Sequence, residues 1–164
     1  MFVLGIDPGV SRCGYGCVEA NGRGGRAVAV GVLTTPPSEP LPQRLAALDA
    51  DLRALMAELK PDAVAVERLF FQVNARTAMS VGQASGLVLA AAARHGAEVA
   101  QYTPNEVKQA VAGYGAATKE QVTRMVQALL AMPAPPRPAD AADALALALC
   151  HLASAPLRAR LAAR

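Results

Sequence analysis

Tryptophan is absent from this 164-residue chain, aromatic residues make up only 4% of it, and there are three cysteines and two histidines. Each shortage excludes something. With so few aromatics the core must be built from aliphatic side chains, and an aromatic in a loop needs a reason to be there. Cys13, Cys17 and Cys150 are too few, and odd in number, for a disulfide framework. They read as reduced thiols of a cytoplasmic protein. His95 and His151 do not fall at zinc-motif spacing from them. Long apolar runs are missing too. The longest, 86–93 and 144–150, fall far short of the ~18 residues a membrane span needs. The opening segment meets Asp7 and Pro8 too soon for a signal peptide. The expectation is a protein without membrane association.

What the chain does have is 53% hydrophobic residues, much of it alanine, which argues against disorder and for tightly packed helices. The length suits one domain. Segment 2–6 is a short apolar run that stops at Asp7-Pro8-Gly9, a buried strand ending at a turn. Segment 14–18 reads as a return strand, 21–25 as a glycine-rich turn and 27–33 as a third strand, so an antiparallel meander is expected. After a proline-rich linker at 36–42, Leu45, Leu48, Leu52, Leu55 and Leu59 recur at helical spacing and Pro61 ends the helix. A strand at 63–66 ending at Glu67, a helix over about 75–94 stopped by Gly96, and a strand at 97–102 make a parallel βαβ unit. Two capping boxes follow, Thr103 with Glu106 and Thr118 with Gln121. A proline-rich break at 132–138 precedes a final helix from near Asp140, apolar almost all round over 144–149. The expected fold is a three-layer α/β domain over 1–155, a five-stranded mixed sheet flanked by helices, followed by a basic tail at 156–164 prone to fraying.

Four carboxylates sit at element ends. Asp7 ends the first strand, Glu67 ends the fourth, and Asp140 and Asp143 share one face at the start of the last helix. If the first and fourth strands are parallel neighbours, the two strand-end acids emerge together. Hard cations such as magnesium take oxygen ligands. Two such ions about 4 Å apart activate water and stabilise the leaving oxygen of a phosphodiester. Each acid alone has a plainer reading: a turn, a solvated strand end, a helix cap with an acid in its first turn. Together they would repel one another, which argues for function. The formal charge of +3 is weak by itself. With four acids committed to metal, the remaining surface is more basic and suits a phosphate backbone.

Several segments, in order, resemble the RuvC family of Holliday junction resolvases. These are Ile6-Asp7-Pro8-Gly9 through Cys13-Gly14-Tyr15-Gly16; Ala65-Val66-Glu67 with Phe70 and Asn74; Val81-Gly82-Gln83-Ala84; Val107-Lys108-Gln109; Lys119; and 139–146. The likeness covers roughly 2–150. It implies a ribonuclease H-like fold and a homodimer. It implies that Asp7, Glu67, Asp140 and Asp143 are catalytic metal ligands for two Mg²⁺ per subunit, with Mn²⁺ able to substitute. Some members of the family carry histidine at the third of these positions, whereas this chain has Asp140. The resemblance also implies that Lys108 and Lys119 touch DNA near the cut and that Phe70 wedges against an unstacked base. The partners it implies are four-way junction DNA and proteins of the RuvA and RuvB type. Two adjacent phenylalanines, Phe70 and Phe71, cannot both enter a core from an extended segment. Small residues Gly82 and Gly86 on the second helix suggest a close helix contact across a two-fold axis. Three rivals remain at this point: a related nuclease with another substrate, a phosphotransferase of the actin-like class using Asp7, Gly9 and Ser11, and a DNA-binding module without activity.

Overall fold

The computed structural model describes residues 1–21, 24–68 and 75–162, with side chains within 1–21, 24–68 and 78–155. The strands are β1 (Phe2–Asp7), β2 (Arg12–Asn21), β3 (Gly24–Thr34), β4 (Ala63–Glu67) and β5 (Glu98–Tyr102). The helices are α1 (Leu41–Leu59), α2 (Ala75–His95), α3 (Pro104–Ala112), α4 (Lys119–Leu129) and α5 (Ala139–Ala162). The strands form one sheet in the order β3-β2-β1-β4-β5. β1, β2 and β3 pair antiparallel, while β4 runs parallel to both β1 and β5. The expected meander and parallel pair are both present, joined at β1.

Alternation along the strands divides the interior into two cores. Val3, Ala63, Ala65, Ala100 and Tyr102 face the layer of α3, α4 and α5. Leu4, Ile6, Val64 and Val66 face α1 and α2. The periodic leucines of α1 behave as their spacing predicts. Leu48, Leu52 and Leu55 are buried with Met56, and Leu45 and Leu59 pack at the edge. The helix begins earlier than expected, at Leu41, inside the stretch read as a linker. Pro40 stands at the N-cap and Pro42 in the first turn, where a missing N–H forfeits no helical bond. Lys60 ends it in the left-handed region (φ 47°), donating its N–H to the Met56 carbonyl.

Both capping boxes form. The Thr103 hydroxyl accepts from the Glu106 N–H and Glu106 accepts in return from the Thr103 N–H, and Thr118 and Gln121 repeat the exchange. α5 is the central helix of its layer. Its residues 144–150 are all buried, as the continuous apolar run requires. The backbone of α5 stays helical to Ala162. Among the described residues no helix is long and apolar enough to cross a membrane.

α5 lies unusually close to the sheet because three glycines leave room for it. Gly5 pairs with Gly16, and Asp7 with Gly14, across β1 and β2, so all four are on the face that α5 covers. A Cβ at Gly5 would overlap the Ala144 carbonyl, and one at Gly14 would overlap the Asp140 carbonyl. At Gly16 it would come within 2.7 Å of the Leu145 side chain. The helix therefore rests on bare backbone, and this contact sets the height of its first turn above the end of β1.

Candidate active site

Asp7 and Glu67 are the last residues of β1 and β4. The parallel register runs Val3 with Ala63 through Ile6 with Val66, so the two acids end neighbouring strands side by side. Counting by twos from Val3 and Ala63 puts both on the α5 face. α5 begins at this same edge, with Asp140 over Gly14 and Asp143 three residues further along. The three acids Asp7, Glu67 and Asp143 line one pocket of about 190 Å³, together with Lys108 of α3 and Lys119 of α4. Its apolar wall comes from Val107, Val122 and Leu147. Asp140 lies beside the pocket rather than in its lining.

The electrostatics show that negative charge outweighs positive here. Burial, and then repulsion from Asp143, Glu67 and Asp140, pushes the Asp7 carboxyl up to about 7, although Lys119 pulls the other way. Glu67 is raised as well, by burial and by Asp143, with Lys119 again opposing. Lys119 Nζ donates to Asp143 Oδ2 at 2.8 Å. That hydrogen bond is the main reason its ammonium holds its proton above the usual lysine range. Lys119 opens α4, a position where the helix dipole disfavours a cation, so only the acids make it a comfortable site. On the other side, Arg12 Nε donates to Asp140 Oδ2, also at 2.8 Å.

The donor set fits a hard divalent cation: carboxylate oxygens only, with charge that the chain's own residues leave uncompensated. Among the described residues, however, no three acidic, histidine or cysteine side chains converge tightly enough to enclose a metal as they stand. In this arrangement Asp143 is hydrogen-bonded to Lys119 and Asp140 to Arg12, each through Oδ2. The thiols do not compete for this role. Cys13, Cys17 and Cys150 are unpaired and buried, and burial pushes each up to about 11.

Of the residues singled out from sequence, Asp7, Glu67, Asp143, Lys108 and Lys119 meet in the pocket, and Asp140 adjoins it. Phe70, with Asn74, lies outside the described residues. Gly82 and Gly86 are on α2, across the sheet from the pocket. Gly86 is exposed, and a Cβ there would meet nothing within 4 Å. Sequence reasoning missed Arg12. The signal was present, because Arg12, Gly14 and Gly16 alternate along β2 and so share the face beneath α5.

Comparison with known proteins agrees with this geometry. The family model for crossover junction endodeoxyribonuclease RuvC matches residues 3–151. The crossover junction endodeoxyribonuclease RuvC of Moorella thermoacetica is 54% identical over 160 residues, covering 98% of this chain and 96% of the relative. That of Salinispora arenicola is 56% identical over 164 residues, covering 99% and 94%. The structure of Thermus thermophilus RuvC superposes with a TM-score of 0.89 at 42% identity, covering 96% of this chain and 97% of that one. The same protein in complex with a Holliday junction substrate gives 0.91 at 41% identity, covering 96% of each. A yeast mitochondrial resolvase, Ydc2, at 15% identity and a TM-score of 0.68 over 96% of this chain and 82% of that one, shares the fold alone. The fold is thus the ribonuclease H-like one expected from sequence, and the chain belongs to the RuvC family of crossover junction endodeoxyribonucleases, which are metal-dependent nucleases.

Proposed function

We propose that this protein resolves four-way Holliday junctions in DNA by paired symmetric nicks, in homologous recombination and repair, with Asp7, Glu67, Asp140 and Asp143 as the ligands of two Mg²⁺ per subunit. Mn²⁺ would serve in their place. Held by these four acids, the cations would supply activation of a water for in-line attack on phosphorus and stabilisation of the leaving 3′ oxygen, giving a 5′ phosphate and a 3′ hydroxyl.

The chain's own residues do the rest. Asp7 and Glu67 are fixed by hydrogen-bonded strand ends, so their carboxylates need little reorganisation. Lys119, held at the pocket by Asp143, would supply a compact positive charge to a phosphate oxygen were Asp143 engaged by a cation. Lys108, on the pocket wall and without an ion pair among the described residues, adds a second compact positive charge. Val107, Val122 and Leu147 keep one side of the pocket dry, which strengthens each charge interaction within it. Phe70, just beyond Glu67 in the chain, acts as the wedge against an unstacked base. Two copies related by a two-fold axis, meeting along the Gly82 and Gly86 face of α2, present two such pockets to one junction. Proteins of the RuvA and RuvB type are the matching junction-binding and branch-migration partners, and the cytoplasm is the matching compartment for three unpaired thiols.

The observation that carries this reading is the meeting of Asp7, Glu67 and Asp143 in one pocket. Acids from two parallel strand ends and a helix start crowd one pocket whose charge the protein's own cations do not balance. The experiment is a cleavage panel of junction, duplex, hybrid and flap substrates in magnesium. Wild-type protein should cut the junction symmetrically, and Asp7→Asn should bind it without cutting. Preference for another substrate would transfer the site to a different nuclease activity, and full cleavage by Asp7→Asn would remove Asp7 from the chemistry.

A further inference from the structure

We propose that Arg12 is a further positioning residue of this site: it fixes the Asp140 carboxylate through Nε while presenting the outer edge of its guanidinium to a DNA backbone phosphate beside the cleaved one. This inference rests on the nuclease reading of the pocket.

Arg12 opens β2 and shares the α5 face of the strand with Gly14 and Gly16. Because α5 sits directly on Gly14 through the Asp140 backbone, one step along the strand brings an arginine within reach of the Asp140 side chain. The contact is Nε to Oδ2 at 2.8 Å. Nε carries a single hydrogen at the inner edge of the guanidinium, so spending it on Asp140 leaves both terminal nitrogens, with four N–H groups, for another acceptor. The side chain is 52% exposed and contacts no second carboxylate among the described residues. A planar, doubly donating edge at the surface of a nucleic-acid enzyme matches a phosphate far better than it matches water alone.

The backbone carrying Arg12 is braced from behind. Arg44 of α1 donates through Nη2 to Ser11 Oγ at 2.6 Å and through Nε to Thr35 Oγ1 at 3.0 Å. The buried Thr35 hydroxyl donates in turn to the Val10 carbonyl at 2.6 Å, and the Thr35 N–H donates to the Ser11 carbonyl at 3.3 Å. Residues 10–12 are therefore pinned to α1 through hydroxyls. Arg44 adds a second positive charge that meets no carboxylate among the described residues. Arg12 lies on β2, next to β1 in the sheet, and outside the pocket lining that holds Lys108 and Lys119. DNA crossing the acids would then be held at Arg12 as well as at the pocket lysines.

The test compares Arg12→Gln and Arg12→Lys, each in the Asp7→Asn background so that the junction is not consumed. Junction binding is followed by fluorescence anisotropy in magnesium over a series of salt concentrations. Arg12→Gln should weaken binding roughly tenfold and reduce the slope of log affinity against log salt by about 1, the signature of one lost phosphate contact. Arg12→Lys should keep the slope. In the otherwise native chain, Arg12→Lys should lower kcat with little change in KM, because one ammonium cannot hold Asp140 and a phosphate together in the guanidinium geometry. A residue that only supported the fold would lower the melting temperature without moving the salt slope. An unchanged slope in a folded Arg12→Gln protein overturns the proposal. If that variant does not fold, an unchanged kcat for Arg12→Lys overturns it instead. Failure of the Asp7→Asn parent to bind a junction at all would refute the broader nuclease reading, so the two failures are distinguishable.

Discussion

Replacing Asp7 by asparagine should stabilise the metal-free protein while destroying its activity. Asp7 titrates at about 7 in the fold against ~3.9 in an unfolded chain. A folded-state pKa above the unfolded one means that the native state holds the proton longer. The contribution of this group to stability is therefore best below pH ~4, declines as pH rises to about 7, and is flat beyond that. This is the reverse of a salt-bridged aspartate. Keeping Asp7 ionised above pH 7 costs the fold at most about 4 kcal/mol, at about 1.36 kcal/mol for each pH unit between the two values. Asparagine keeps the volume and removes the charge, but its amide still has to be desolvated, so a net gain of about 1–3 kcal/mol is expected. For a domain of this size that is a rise in Tm of roughly 2–10 °C. The assay is urea unfolding in EDTA at pH 8 and at pH 5. The variant should be more stable at pH 8, and the difference should shrink at pH 5, where wild-type Asp7 is largely protonated. Magnesium at tenfold over its Kd should restore about 1.4 kcal/mol to the wild type and little to the variant. An Asp7→Asn protein less stable than wild type at pH 8 in EDTA, or a gain that does not vary with pH, would refute the argument that crowded acids strain this pocket.

Other consequences can be measured in the same way. Half-saturation by magnesium should move to higher concentration as pH falls below 7, approaching about tenfold per pH unit, because a proton and the cation compete for Asp7; calorimetric titration at pH 8, 7 and 6 would show it. Lys119→Met should lower kcat by roughly 10²–10³ with little effect on junction affinity, and single-turnover cleavage separates the two. Gly5→Ala should destabilise the fold by about 1–3 kcal/mol or more and abolish cutting, since the new methyl meets the Ala144 carbonyl. Gly86→Ala, with open space before it, should stabilise an isolated chain by about 0.5–1 kcal/mol, and sedimentation would reveal whether it also weakens self-association.

Much of this was legible before any coordinates, for identifiable reasons. The strand periods and the two capping boxes are local chemistry, so β1 and β4 emerged with nearly their final bounds, and α3 and α4 with their first turns. Asp7 and Glu67 were legible because a parallel pairing of their strands leaves no freedom in where the ends lie. The start of α1 was not, since prolines at 40 and 42 look like a linker unless their positions in the first turn are known. Arg12 was missed for a different reason. Its role depends on which helix lies over Gly14, a long-range fact that alternation along β2 hints at but cannot name. The orientation of Asp140 and Asp143 likewise depended on which cations arrived beside them from β2 and α4, and spacing within α5 carries no information about that.

The seating of α5 on Gly5, Gly14 and Gly16 has a consequence for how this enzyme tolerates change. At Gly5 and Gly14 main chain lies against main chain, which admits no repacking. An altered side chain elsewhere can be absorbed by a new rotamer, whereas the distance from sheet to helix is dictated by atoms that every residue type shares. On the opposite face the leucines of α1 meet the sheet through side chains, which can change rotamer. The unyielding seam thus lies on the face that carries the acids.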